Sequence, residues 1–279
     1  TLFIALMVLV TAAVATTILV GCTKYEFTEA VALEMTDQEI EEYAFAVKKG
    51  NTTLLNQLNE FFALNSTSEL IEKSLKFHTG VTTEAPMDAS ILNDNTGDEI
   101  TMVTEAGFAP YEYEGAGKGA VNKVIGIDVD LMIAFAEANN YKLKLINTEF
   151  KTIIAEVDKS DKAIGAAGMT VNEERLEKVD FATPYIETIQ YIISDKANSF
   201  TTTEQLAGLK VGVQNSTTGE YYVVDAFNKA IDDGEISAEK INKKGYDKVM
   251  AAYNDLKKGK IAAIVIDEYV AKGLVENDK

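Results

Sequence analysis

Apolar and polar residues follow two alternating patterns between residues 99 and 279. Short apolar runs of strand length are separated by longer segments in which apolar residues recur at helical spacing. The strand-like runs are EITMVTE, YKLKLINTE, AIGAAG, LKVGVQN and IAAIVID. The helix-like segments are GIDVDLMIAFAEANN, FKTIIAEVDKS, TTGEYYVVDAFNKAI, GYDKVMAAYNDLKKG and EYVAKGLVEN. This alternation predicts an α/β fold with mainly parallel sheets.

The segment between the two series and the segment before them have different patterns. PYIETIQYIISDKANSF is extended and β-rich, so it predicts a strand that crosses from one sheet to the next. Upstream, YAFAVKK predicts a short strand, and two helices follow it, the first with Thr52 or Thr53 as its N-cap. Residues 79–97 are rich in Thr, Asp and Asn without periodicity, which predicts a linker. Two α/β halves joined by a crossover predict a cleft between them, with ligands at the strand ends.

The first 22 residues form an uncharged apolar run that ends at Cys22. By length alone this run fits either a transmembrane helix or the apolar part of a secretory signal. The order Leu-Val-Gly-Cys at 19–22 is that of a bacterial lipobox, in which the thiol becomes a thioether to diacylglycerol. We therefore expect a lipoprotein signal peptide over 1–22 and lipid attachment at Cys22. A membrane anchor with an incidental cysteine is the alternative.

Composition narrows the classes of function. The net charge is −18, with acidic residues scattered along the chain, which argues against nucleic-acid binding. A single cysteine excludes a structural disulfide within the chain and a cysteine-cluster metal site. The single histidine, His78, leaves little material for histidine catalysis or a multi-histidine metal site, and we expect it to be an exposed residue after a helix. No cofactor and no metal are expected.

Aromatic residues and an acid stand in the loop after the first strand of this region, TEAGFAPYEYEG. Phe108 and Tyr111 flank Pro110 on a stiff turn, and Glu105 precedes them. At a cleft mouth, this turn would present aromatic faces to a ligand. A core-packed aromatic hairpin is the alternative.

Three further loops carry charged and polar groups. Arg175, in MTVNEERLEKVDFATPY, follows a strand, where a guanidinium can take a carboxylate bidentately beside the Thr170 hydroxyl; pairing on a helix surface with a neighbouring glutamate is equally consistent. The turn NSTTGE at 215–220 either receives an anion or only caps a helix. Asp267 ends a strand as a helix cap or a receptor for a cation. Together, the loops offer partners for a carboxylate, an ammonium and a side chain, which describes a free α-amino acid.

At these residues the sequence strongly resembles the periplasmic amino-acid-binding proteins of ABC importers, the bacterial extracellular solute-binding family 3. The segments that carry the resemblance span nearly all of 99–279, and they are FAPYEY, GIDVDL, AAGMTVNEERLEKVDFATPY, VGVQNSTTGE and AAIVIDEYVAKGL. The resemblance implies a type II two-lobed fold, each lobe a mainly parallel sheet flanked by helices. It also implies an extracytoplasmic receptor that delivers a polar or cationic L-amino acid to a permease by hinge closure, without catalysis.

The resemblance also implies roles for individual residues. Arg175 would clamp the α-carboxylate with Thr170 and the Thr218 backbone, and Asp267 would hold the α-amino group. Phe108 and Phe150 would sandwich the side chain of the ligand. Gly168 would offer its carbonyl to the ammonium, and Glu105 would contact the distal polar group of the ligand.

The order of segments departs from the family pattern. YAFAVKKGNTTLLNQLNEFFALNSTSELIEKSLKF looks like the return strand and closing helices of the family, yet it precedes the first strand. Either the domain is circularly permuted, or a partial first domain precedes a truncated second one; we favour permutation because no element is duplicated. On this basis residues 44–78 and 98–184 form lobe 1, residues 24–38 and 190–279 form lobe 2, and residues 39–43 and 185–189 form the hinges.

Two other functions are compatible with the same fold. Cyclohexadienyl dehydratases resemble it and use an acidic residue as proton donor, for which Glu174 or Glu105 would be candidates. An acid at 267 is hard to reconcile with prephenate, which lacks an α-ammonium. The other alternative is the ligand-sensing input domain of a signalling receptor.

Overall fold

The computed structural model describes residues 27–277, and their strands form two five-stranded sheets and two short pairs. The strands are β1 (Ala30–Glu34), β2 (Glu41–Tyr43), β3 (Ala46–Lys48), β4 (Glu99–Thr104), β5 (Tyr113–Glu114), β6 (Val124–Ile125), β7 (Lys142–Asn147), β8 (Ala163–Gly165), β9 (Val179–Phe181), β10 (Ile186–Thr188), β11 (Gln190–Asp195), β12 (Lys210–Gln214), β13 (Asn242–Tyr246) and β14 (Ala263–Asp267). The helices are α1 (Thr52–Phe62), α2 (Asn65–His78), α3 (Ile127–Ala138), α4 (Ile153–Val157), α5 (Glu173–Leu176), α6 (Ala226–Asp232), α7 (Val249–Lys257) and α8 (Glu268–Glu276).

Each lobe is built on one mixed sheet. The sheet of lobe 1 has the order β7-β4-β8-β3-β9, and that of lobe 2 has the order β1-β11-β14-β12-β13. Parallel pairing joins β7, β4 and β8 in lobe 1 and β14, β12 and β13 in lobe 2. The remaining pairs in both sheets are antiparallel. The helical crossovers thus produce three parallel strands per lobe, and segments next to the lobe connections add the antiparallel ones.

Two antiparallel strands connect the lobes. β2 pairs with β10 outside both large sheets, with Tyr43 opposite Ile186 and Glu41 opposite Thr188. These strands lie within the segments 39–43 and 185–189. Because within residues 27–277 this two-stranded ribbon is the one covalent connection between the sheets, it is the element about which they can rotate.

The residues that precede β4 contribute to both lobes. β1 pairs with β11 along its whole length, and β3 lies between β8 and β9. α1 buries Leu58, Phe61 and Phe62 in the lobe 1 core, where Phe62 stacks on Tyr185 at 5.8 Å. Glu29 and Glu276 line the same surface cleft, so the two ends of the described chain lie close together.

The expectation for His78 is wrong. Its side chain is 2 % exposed, with Nε2 lying 2.8 Å from Asp130 Oδ2 and Nδ1 lying 2.9 Å from the Tyr113 hydroxyl. The cause is the packing of α2 against α3, whose first turn carries Asp130. The linker at 79–97 then continues over the surface and contains a 3₁₀ turn, Ala89–Asp94.

Local details also differ from the expected pattern. Asn51, not a threonine, caps α1 by accepting from the Leu54 N–H at 3.2 Å. β13 was not predicted, because this edge strand of sequence NKKGY has no apolar alternation, and its last two residues stand in a segment predicted as helix. Within residues 27–277, no helix is long and apolar enough to span a membrane. The predicted signal peptide and Cys22 lie outside these described residues.

Candidate ligand site between the lobes

A small cavity lies between the two lobes, where loops after the strands of each sheet meet. The space between its lining atoms is narrow, about 240 Å³ including the part that is open to solvent. Five of its lining residues come from lobe 1 and four from lobe 2. They are Phe108, Phe150, Gly168, Thr170, Arg175, Gln214, Thr217, Thr218 and Asp267. Seven of the eight residues predicted from the sequence are therefore brought to one cavity, and Glu105 lies one hydrogen bond behind it.

Arg175 forms one pole of the cavity. It lies in α5, where Asn172 Oδ1 accepts from its backbone N–H at 2.9 Å, and the residue is 7 % exposed. Nη1 donates to the Thr170 carbonyl at 2.7 Å, and Nη2 donates across the cleft to the Ser216 carbonyl at 3.0 Å. The guanidinium also lies over the Phe150 ring at 5.3 Å.

The alternative of a surface arginine paired with a neighbouring acid does not describe this residue. Glu174 instead pairs with Lys178 at 2.8 Å, on the solvent side of α5. Arg175 is consequently held at the cleft by backbone carbonyls from both lobes. A guanidinium in such a setting is suited to bind a carboxylate.

Asp267 forms the opposite pole. It ends β14, is 2 % exposed and makes no side-chain cap to α8. Its Oδ1 accepts from Gln190 Nε2 at 3.0 Å. Burial, with the nearby charge of Glu41, raises the pKa of Asp267 to about 7. An ammonium bound here would stabilise the ionised form of Asp267, which burial otherwise disfavours.

A polar network around Asp267 was not predicted from the sequence. Glu41, in the connecting strand β2, accepts from Thr170 Oγ1 at 2.7 Å and from Gln190 Nε2 at 2.9 Å. The same Gln190 amide donates to Thr218 Oγ1 at 3.1 Å. The network therefore ties the ribbon between the lobes to both walls of the cavity. Nothing in the segment TDQEIEEY distinguishes Glu41 from the other surface acids.

Phe108 and Phe150 are the aromatic residues that line the cavity, and Tyr111 packs in the core behind Phe108. Phe108 stacks on Tyr111 at 5.8 Å, and Tyr111 meets Tyr43 edge-on at 5.0 Å. Gly168 lies against Phe108 with φ +51°, and a Cβ at this position would stand 2.9 Å from the Phe108 ring. The sequence thus needs glycine here for both its backbone conformation and its close approach to the ring.

The anion turn at 215–220 contains Ser216 with φ +65°, a left-handed conformation that glycine adopts more easily. Its backbone N–H donates to Glu220 Oε2 at 2.6 Å, and Thr217 Oγ1 donates to the Gln214 carbonyl at 2.8 Å. The Ser216 N–H, one of the donors expected to face an anion, is therefore already bound to Glu220. Thr217 and Thr218 remain at the cavity wall.

Glu105 lies behind the cavity, at the end of β4. Its side chain is 1 % exposed, and Oε2 accepts from Gln214 Nε2 at 3.2 Å. Lys248, from the start of α7 in lobe 2, places Nζ 3.7 Å from Oε1. Burial raises the pKa of Glu105, while the Lys248 charge opposes this rise. Sequence reasoning missed both Gln214 and Lys248, although Gln214 ends a predicted strand.

With this geometry established, comparison with known proteins gives the family. The family model of bacterial extracellular solute-binding proteins, family 3, matches residues 100–269. The chain belongs to this family. The resemblance and the two-lobed fold expected from the sequence are therefore confirmed.

Individual members of this family provide closer comparisons. A probable histidine-binding protein of Neisseria gonorrhoeae is 28 % identical over 192 residues, covering 68 % of this chain and 67 % of that protein. Two solved structures are described as an ancestral arginine-binding protein, one bound to glutamine and one to arginine. They share 33 % and 34 % identity, with TM-scores of 0.55 and 0.56. Both cover 66 % of this chain, and they are covered to 75 % and 76 % themselves.

Proposed function

We propose that this solute-binding protein is a receptor for a free polar or cationic L-amino acid, which it delivers to the permease of an ABC importer. The observation that carries the proposal is the cavity itself. Arg175 from lobe 1 and Asp267 from lobe 2 line the same small space, so opposite charges on separate lobes are available to the two ends of one zwitterion.

Each lining group has a role in this proposal. Arg175, with the Thr170 hydroxyl and the Thr218 backbone, binds the α-carboxylate. Asp267 binds the α-ammonium, assisted by the Gly168 carbonyl. The side chain of the ligand lies between Phe108 and Phe150, and its distal group approaches Gln214 and Glu105.

Binding would act through hinge closure. A ligand that contacts both lobes has more contacts in the closed form, so it shifts the population toward that form in proportion to the difference in affinity. The β2–β10 ribbon permits the rotation, and the permease would recognise the closed form. No covalent step is required.

The names of similar proteins support the chemical class of the ligand. The compared proteins are named for binding histidine or arginine, and one of the solved structures is bound to glutamine. All three amino acids carry N–H donors on their side chains. A distal end built from a carboxylate and an amide oxygen suits such donors.

The decisive experiment is a thermal-shift screen of the twenty amino acids on protein lacking residues 1–22. A ligand at a hundredfold excess over its Kd should stabilise the protein by about 2.7 kcal/mol. One or a few polar or cationic amino acids should raise the midpoint, and glycerol or simple carboxylates should not. If none of the twenty shifts the midpoint, the proposal is wrong.

We also propose that the receptor works outside the cytoplasmic membrane, held there by a lipid on Cys22. The uncharged run and the order Leu-Val-Gly-Cys support this location. Replacing Cys22 by Ala in the secreted precursor should release the protein from the membrane fraction. Retention of the variant on the membrane would argue for a transmembrane anchor instead.

An enzyme on this fold is the competing proposal, and the candidate proton donors do not favour it. Glu174 is an exposed residue paired with Lys178, and Glu105 is paired with Lys248. The purified protein should not turn over prephenate or arogenate. Product formed from either substrate would support the dehydratase.

Finally, we propose that the order of segments is a circular permutation. Residues 27–78 supply one strand to each large sheet, one strand of the connecting ribbon and two helices, and they duplicate no element of 98–277. The proximity of Glu29 and Glu276 supports a former connection at this point. The linker at 79–97 would then bridge the original ends.

A further inference from the structure

A cation from lobe 2 already occupies one side of the buried Glu105 carboxylate. Lys248 Nζ lies 3.7 Å from Oε1, and the lysine side chain is 52 % exposed whereas that of Glu105 is 1 % exposed. Lys248 therefore reaches from the solvent-facing rim of the cleft to an acid buried in the opposite lobe. A buried carboxylate is costly without such a partner.

The other oxygen of Glu105 fixes the orientation of Gln214. An ionised carboxylate only accepts hydrogen bonds, so it holds Nε2 of Gln214 toward itself at 3.2 Å. Gln214 lines the cavity, and its Oε1 has no hydrogen-bond partner among the described residues. The amide thus offers an acceptor that suits an N–H on the side chain of a ligand.

The two contacts have different consequences for neutral and cationic ligands. Both kinds can donate to an amide oxygen. A cationic side chain at this end, however, would be the second cation beside one carboxylate, and the Lys248 charge would repel it. A neutral donor, such as a carboxamide, pays no such repulsion.

We propose that Lys248 is a specificity-determining residue, which neutralises Glu105 across the cleft and so shifts selectivity from cationic amino acids toward neutral ones with a side-chain N–H donor. This inference rests on the proposed amino-acid-binding function. Lys248 acts through Glu105 and is a positioning residue in this sense. Because it also joins the lobes, its loss should weaken binding of every ligand somewhat, and only a ratio of affinities reports selectivity.

The test is calorimetric measurement of the Kd values for glutamine and arginine. Lys248→Met should raise the ratio Kd(Gln)/Kd(Arg) by about tenfold, because an uncompensated carboxylate attracts the guanidinium more strongly. Lys248→Arg restores the charge and should restore the wild-type ratio. Lys258→Met removes the same charge from an exposed position at the other end of α7 and should leave the ratio unchanged.

A double-mutant cycle locates the effect. In a Glu105→Gln background, Lys248→Met should change the ratio much less, because only the direct repulsion between Lys248 and the arginine side chain remains. An unchanged or lowered ratio in Lys248→Met, or an equal change in Lys258→Met, would overturn the inference while leaving the receptor proposal intact. If the wild type binds no free amino acid at all, both proposals fail.

Discussion

Arg175 donates from Nη2 to the Ser216 carbonyl at 3.0 Å, and this hydrogen bond crosses from lobe 1 to lobe 2. The residue that we assign to the carboxylate of the ligand is therefore also part of the contact between the lobes. Ligand binding and lobe closure depend on the same guanidinium, and this shared group couples the two events.

The first prediction concerns the shape of this group. Arg175→Lys keeps the charge but cannot form the two parallel hydrogen bonds of a guanidinium with a carboxylate. We expect binding of the ligand to weaken by about 2 kcal/mol or more, measured by calorimetry. Lys178→Met, which removes a solvent-side cation from the residues just after α5, is the control and should bind normally. Wild-type affinity of Arg175→Lys would contradict the carboxylate assignment.

The second prediction concerns the acid at the opposite pole. Asp267→Asn should weaken binding by about 2 to 5 kcal/mol, since the ammonium loses its buried counter-charge. In the wild type, the pKa of about 7 means that Asp267 is largely protonated below neutrality. Affinity should therefore fall as the pH decreases from 8 to 5.5, whereas the variant should show a flatter profile. A wild-type affinity independent of pH over this range would argue against an ammonium at Asp267.

The third prediction concerns stability without ligand. Burial raises the pKa of Asp128 to about 7, and it raises that of the adjoining Glu112 well above its usual value. The folded protein thus holds protons that the unfolded chain has released, so the free energy of unfolding should fall as the pH rises from 5 to 8. Urea unfolding at several pH values measures this slope.

A substitution at Asp128 measures how much of this dependence of stability on pH is due to that residue. Asp128 accepts from the Gly168 N–H at 2.9 Å and from the Tyr185 hydroxyl at 2.5 Å. Asp128→Asn retains an acceptor oxygen but removes the titration, so the dependence of stability on pH should become smaller. An unchanged slope would show that other groups account for it.

The fourth prediction separates lobe closure from ligand recognition. Lys151 of lobe 1 lies 3.1 Å from Asp247 of lobe 2, and both side chains are about half exposed. Such a pair contributes at most about 1 kcal/mol. Asp247→Ala should raise the Kd of every ligand by the same small factor, and the effect should shrink in high salt. Asp233→Ala, which breaks a pair with Lys229 inside lobe 2, should have no such effect. A change confined to one ligand would contradict a closure role.

The fifth prediction tests the order of segments. A chain rejoined as 98–277 followed by 27–78, without the linker, should fold and bind the same amino acid within about threefold of the original affinity, because every residue that lines the cavity is kept. The contacts of the linker itself, such as that of Asn95 with the Tyr141 carbonyl, are lost, so the rejoined chain should be less stable. Circular dichroism and calorimetry check the two parts of this expectation. A rejoined chain that folds but does not bind would argue against permutation.

The sequence predicted the fold where its patterns are local and repeated. β4, β8, β12 and β14 are apolar runs between helices, so their assignment needed no tertiary information. β13 escaped prediction because an exposed edge strand can be made of polar residues. His78 was misjudged because its burial depends on Asp130, which is distant in sequence and meets it only through helix packing.

The same distinction between local patterns and tertiary contacts holds for the residues of the site. Arg175 lies in the segment that follows β8, and Asp267 ends β14, so both could be found from position and chemistry. Glu41, Gln190 and Lys248 could not, because each gains its role only when the lobes meet at the ribbon and the cleft. A lysine at a helix start is ordinary in sequence, and what distinguishes it is the buried acid across the gap.

The position of β1 has a mechanical consequence. β1 is the first strand of the described residues and lies at the edge of the lobe 2 sheet, and a short stretch of sequence separates it from Cys22. A lipid at that cysteine would therefore tether lobe 2 to the bilayer through a short segment of chain. Within residues 27–277, lobe 1 is joined covalently to lobe 2 through the β2–β10 ribbon, so lobe 1 would then be the half that rotates toward or away from the membrane-bound lobe.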